Sequence, residues 1–147
     1  MLKVLIAEDD LMIADMTEDM LVQRGYEVCG IARTVAEAVA LCRHHRPDLA
    51  LIDLRLADGG FGTEIAAQLG GLDALGILYA TGNASQIVLT AADGHACLAK
   101  PFRSADLQRS LAIVSEIVAT GAASPPFPHG LRILPSATTL HEEPSHG

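Results

Sequence analysis

The sequence predicts a doubly wound α/β fold, with one parallel sheet carrying helices on both faces. Short apolar runs of strand length recur at Val4-Leu5-Ile6-Ala7, Leu49-Ala50-Leu51-Ile52, Leu75 to Ala80 and Ala96-Cys97-Leu98-Ala99. Segments of helical periodicity lie between them. Polar residues follow each run directly: Glu8, Asp9 and Asp10 after the first, Asp53 after the second, Thr81 after the third, Lys100 after the fourth. Strands buried on both faces read as continuous apolar runs, and right-handed crossovers place helices on both sides of such a sheet.

The elements follow in order. After Asp10, Ile13, Met16 and Met20 fall on one helical stripe and Gly25 supplies a stop. Met12, Met16 and Met20 read as core and flank of that helix. Tyr26 to Ile31 forms a further strand. Thr34 and Glu37 have the spacing of a capping box, in which each side chain satisfies a free backbone donor at the helix start. Val35, Ala38, Val39 and Cys42 give that helix its apolar face, and Pro47 bars its continuation. Asp58-Gly59-Gly60 and Gly62 form a loop before a short helix with Ile65 and Leu69 inward, closed by Gly70-Gly71. A fourth helix is expected over about 84–91. A fifth begins at Ser104 as cap, with Leu107, Leu111, Val114 and Val118 on one face. Five strands thus alternate with five helices over residues 1–120. From Gly121 the texture changes, with five of the seven prolines between Pro125 and Pro144. Residues 121–147 are expected to be a mostly disordered tail. Gly130-Leu131-Arg132-Ile133-Leu134 is its apolar island, read as a weakly docked segment or a short partner-binding motif.

Composition removes several functional classes. The 147 residues carry a net charge of −8 without a basic block. That disfavours nucleic acid as a partner, since phosphate binding needs clustered Lys and Arg. No apolar run approaches the roughly 18 residues of a membrane span, and the N-terminus lacks a secretory pattern, so the expectation is a cytoplasmic protein. Cys29, Cys42 and Cys97 are odd in number and lack C-x-x-C spacing, which suits buried thiols. His44 and His45 stand near a helix C-terminus, where they favour its dipole more than a metal.

In a parallel sheet the polar residues after each run converge at the carboxyl edge, where ligand sites of such folds form. Converging carboxylates raise one another's pKa unless a cation intervenes. Magnesium suits an all-oxygen site that must also accept phosphate oxygens. Asp53 then serves as nucleophile, a carboxylate able to form an acyl phosphate. Lys100 supplies a point charge for phosphate oxygens and Thr81 a hydroxyl donor.

The acidic pair after the first strand, Asp53 after the third, Thr81 after the fourth and Lys100-Pro101 after the fifth resemble a response-regulator receiver domain over about residues 1–120. The resemblance implies a flavodoxin-like (βα)5 fold with strand order 2-1-3-4-5. It implies Asp53 as the acceptor of a phosphoryl group from a histidine kinase or a histidine phosphotransfer protein. Asp9 would hold Mg2+ directly, Glu8 through water, and Asp53 and the main-chain carbonyl of Arg55 would complete the shell. Thr81 and Lys100 would meet the phosphoryl group, Asp10 would support, and Lys100-Pro101 would be cis. Two positions depart from the family pattern: Cys97 stands where Tyr or Phe is frequent, and Ala57 where Pro is frequent. Tyr79-Ala80-Thr81-Gly82, the missing aromatic at Cys97 and Pro101-Phe102 together are similar to an alphaproteobacterial subclass of receivers, often stand-alone and often served by HWE-type kinases. The implied function is a stand-alone phosphorylatable switch with an unknown output protein, and no enzyme beyond its own phosphotransfer and dephosphorylation. A phosphorylation-independent docking module is one alternative. An aspartyl-phosphate phosphatase is another, disfavoured by Arg55 where those enzymes carry a second Asp.

Overall fold

The computed structural model describes residues 1–70, 74–82 and 88–136. Its sheet contains β1 (Lys3–Ala7), β2 (Glu27–Ala32), β3 (Leu49–Asp53), β4 (Gly76–Thr81), β5 (Ala96–Ala99) and β6 (Leu131–Ile133). The order is β2-β1-β3-β4-β5-β6. The first five strands run parallel in the expected 2-1-3-4-5 order, and β6 is antiparallel to β5.

Alternate residues of each strand feed opposite faces of the sheet. Leu5, Ala7, Ala50, Ile52, Ile77 and Tyr79 pack on one face with Val35, Ala38, Val39 and Ile65 of the helices α2 (Val35–His45) and α3 (Thr63–Leu69). Val4, Ile6, Leu49, Leu51, Leu78 and Leu98 pack on the other with Ala14 and Leu21 of α1 (Leu11–Gln23) and Leu107, Leu111 and Val114 of α4 (Ser104–Thr120). Burial on both faces is why these runs lack an alternating polar pattern.

Helix starts follow local chemistry. Asp10 caps α1 by accepting from the Met12 and Ile13 amides at 3.0 and 3.3 Å. Thr34 and Glu37 form the expected capping box of α2. Ser104, expected as a cap, is instead the first residue of α4, and its hydroxyl accepts from Arg24 at 3.1 Å. A 3-10 turn at Ala57–Gly59 links β3 towards α3.

Three expectations need revision or restriction. The buried face of α1 is Ala14, Thr17 and Leu21, while Ile13 and Met16 are exposed and Met20 is half-buried. Small residues let the helix approach the sheet, and Thr17 can be buried because its hydroxyl donates to the Ile13 carbonyl at 2.8 Å. The first half of the helix expected at 84–91, residues 84–87, lies outside the described residues; Val88–Thr90 are irregular and 91–93 form a turn. Four α-helices therefore stand among the described residues. In the tail, residues 121–136 lie against the body and the apolar island forms β6; residues 137–147 are outside the described residues.

Candidate functional site

Glu8, Asp53 and Lys100 meet at the carboxyl edge of the sheet. β1 ends at Ala7, so Glu8 is its first residue beyond; Asp53 closes β3, and Lys100 follows β5. Lys100 Nζ lies 2.9 Å from Glu8 Oε1 and 3.2 Å from Asp53 Oδ2. The second Glu8 oxygen accepts from the Asp10 amide at 3.2 Å. The second Asp53 oxygen accepts from the Arg55 amide at 3.4 Å. Glu8, Asp9 and Asp53 each offer a carboxylate oxygen within 4.8 Å of the others. An oxygen-only cluster of that size fits a hard divalent cation such as magnesium.

Thr81, the last residue of β4, is buried, and its carbonyl accepts from the Lys100 amide at 2.9 Å. The strand register sets Ala80 opposite Asp53 and Thr81 opposite Ala99. Thr81 is therefore one residue from Asp53's partner and two strands' ends from Glu8. Lys100-Pro101 is a cis peptide. The loop after Asp53 folds back closely: Gly62 donates to the Leu54 carbonyl at 2.8 Å, and a side chain at Gly62 would collide with the Asp53 carbonyl.

The electrostatics are set by burial. Desolvation pushes the Glu8 carboxyl up to about 7, aided by Asp53 and opposed by Lys100 and the Asp10 amide. Burial alone would lower the Lys100 pKa, but the bond to Glu8 and the proximity of Asp53 outweigh it and raise it. The two partners thus shift in ways that do not mirror each other. A single ammonium shared by two carboxylates holds its own proton firmly yet does not offset the desolvation of Glu8, the more buried acid.

Next to this edge lies an apolar groove lined by Ile13, Met16, Met20, Pro101 and Phe102, with Lys100 at its end. The stripe of α1 that periodicity assigned to the core is the wall of this groove. Two further features escaped sequence reading. The Tyr79 hydroxyl, deep in the core, donates to the Asp93 carbonyl at 2.6 Å, and His95 Nδ1 accepts from the Ile77 amide at 3.0 Å. A Tyr in a buried strand always implies a partner for its hydroxyl, but sequence does not name it.

A sheet of this order with two acids, an aspartate and a lysine gathered at its carboxyl edge is the arrangement of a receiver-type domain. The family model for the response regulator receiver domain matches residues 4–112, and the chain belongs to that family. Among its relatives is the transcriptional regulatory protein PdtaR of Mycobacterium tuberculosis, 33% identical over 117 residues, covering 71% of this chain and 52% of PdtaR. The phyllosphere-induced regulator PhyR of Methylorubrum extorquens is 32% identical over 116 residues, covering 78% of this chain and 42% of PhyR. The chain thus spans about half or less of these relatives. A CheY-like receiver domain protein from Methanospirillum hungatei superimposes with a TM-score of 0.71 at 29% identity, covering 83% of this chain and 99% of that one. The anti-anti-sigma factor PhyR from Bartonella quintana gives 0.61 at 27% identity, covering 80% of this chain and 46% of that one. No helix among the described residues is long and apolar enough to cross a membrane.

Proposed function

We propose that this receiver accepts a phosphoryl group on Asp53 from a phosphohistidine of a histidine kinase or histidine phosphotransfer protein, and signals through contact with an output protein. The reading rests chiefly on Lys100, whose ammonium bridges Glu8 and Asp53 at 2.9 and 3.2 Å and is thereby held where a phosphoryl oxygen on Asp53 would arrive. In the transfer, an Asp53 carboxylate oxygen bonds to phosphorus as the phosphorus–nitrogen bond to imidazole breaks, and the imidazole takes up a proton. Lys100 balances the added charge, and the Thr81 hydroxyl donates to a phosphoryl oxygen. Glu8, Asp9, Asp53 and the Arg55 carbonyl would hold Mg2+, with Glu8 acting through water. The cation would neutralise charge on the phosphoryl oxygens and the attacking carboxylate. The apolar groove beside Lys100 suits a helix of the phosphodonor, since Met16 and Met20 adapt to varied apolar surfaces. Output through a protein partner is in keeping with the similarity to a protein described as an anti-anti-sigma factor.

Incubation with acetyl phosphate and magnesium should add one phosphoryl group by intact mass, and Asp53→Asn should abolish it. Stoichiometric labelling that persists at another residue in Asp53→Asn would overturn this assignment.

A further inference from the structure

We propose that the edge of β5 is a docking site for an extended segment of a partner protein, and that this chain's own residues 130–136 occupy it as a displaceable ligand in cis. Without β6, β5 would be an edge strand presenting unpaired backbone donors and acceptors, a template for another strand. β6 fills that template antiparallel, with Ala96, Cys97 and Leu98 opposite Ile133, Arg132 and Leu131. The pairing continues beyond both ends: Ala99 donates to the Gly130 carbonyl at 3.0 Å, Leu134 donates to the His95 carbonyl at 3.0 Å, and Ala91 donates to the Pro135 carbonyl at 2.8 Å. A buried side chain anchors the strap. Leu134, 5% exposed, joins the cluster containing Tyr79, Leu89 and Cys97. Arg132 stands directly opposite Cys97 in the ladder. The edge therefore selects main-chain hydrogen bonding plus an apolar residue at the Leu134 position.

Other observations mark the strap as removable. β6 has only three residues, and Ile133 is exposed. Residues 121–130, which lead to it, contain no helix or strand. They are clipped to α4 from two side chains: Arg109 donates to the Ser124 and Pro126 carbonyls at 2.6 and 2.9 Å, and Glu116 accepts from the Ser124 amide. Short, edge-bound segments held by few buried groups open before the rest of a domain. A tether of this length gives the strap an effective concentration on the order of millimolar, so a separate segment at micromolar concentration competes poorly until the strap is loosened. Ala99, the strap's ladder donor, is also the neighbour of Lys100, so the docking edge runs directly into the acidic site.

The probe is a fluorescent peptide of residues 128–136, titrated against the full chain and followed by anisotropy, with amide exchange at Cys97 and Ala99, the β5 amides that face the strap, as second readout. Leu134→Asp in the full chain should expose these amides, bind the peptide at least tenfold more tightly than wild type, and recover their protection when the peptide is bound. Arg109→Ala, which removes the donors to the Ser124 and Pro126 carbonyls, should shift both readouts in the same direction by a smaller factor. A peptide carrying Leu134→Asp should not bind. Equal peptide affinity for wild type and both variants would overturn the proposal, as would an exposed edge that binds no peptide. A wild-type dimer that dissociates on Leu134→Asp would identify a second copy as occupant and overturn the assignment to a foreign segment.

Discussion

Lowering the pH from 8 to 6 should weaken magnesium binding at the acidic cluster by about tenfold. Glu8 is 5% exposed, and burial is the largest influence pushing its carboxyl up to about 7. A cation drawn to this carboxylate must displace the proton. With that pKa, Glu8 is about nine-tenths ionised at pH 8 and about one-tenth at pH 6, which sets the tenfold ratio. Calorimetric titration in two buffers of different ionisation enthalpy should show close to one proton released per magnesium at pH 6 and about a tenth of one at pH 8. Glu8→Gln should remove the pH dependence. Stability follows with a definite sign. Glu8's folded pKa lies above its unfolded value of 4.5, so its contribution is fully present below about 4.5 and is lost as pH rises through about 7. Magnesium should therefore raise the melting temperature more at pH 8 than at pH 6. Equal affinity at the two pH values, or the same pH dependence in Glu8→Gln, would refute the reasoning.

Two further predictions concern how the backbone holds the site. Asp10→Ala removes the side-chain acceptor of the Met12 and Ile13 amides and should cost about 1 kcal/mol by urea unfolding. No measurable change would show that the cap is redundant. Gly62→Ala places a methyl group against the Asp53 carbonyl and the Ile52 side chain, and backbone yields less readily than a flexible side-chain end. It should destabilise by about 1–3 kcal/mol and slow phosphorylation by acetyl phosphate. Wild-type stability together with a wild-type rate would mean that the loop after Asp53 is free to move aside.

The parallel sheet and the acidic edge were legible for one physical reason. A strand buried on both faces cannot carry polar side chains until it leaves the sheet, so the first polar residue after each apolar run marks the same edge. Glu8, Asp53, Thr81 and Lys100 all lie there. Face assignment within α1 was not legible. Periodicity locates an apolar stripe but cannot say whether it meets the sheet or borders a groove, and here Ala14 and Thr17 meet the sheet while Met16 lines the groove. β6 was the other feature beyond reach. Pro128 and Pro135 bound its apolar run, which is a local strand signal. Yet three residues form a strand only against an existing edge, and the choice of β5 is a tertiary fact.

Cys97 lies where the sheet meets the strap. Its thiol lies in the same buried cluster as Tyr79 and Leu134 of the strap, and Arg132 stands opposite it in the ladder. Ala99, which donates to the strap, directly precedes Lys100, whose ammonium grips Glu8 and Asp53. The covered edge and the acidic cluster therefore meet at consecutive residues where β5 ends.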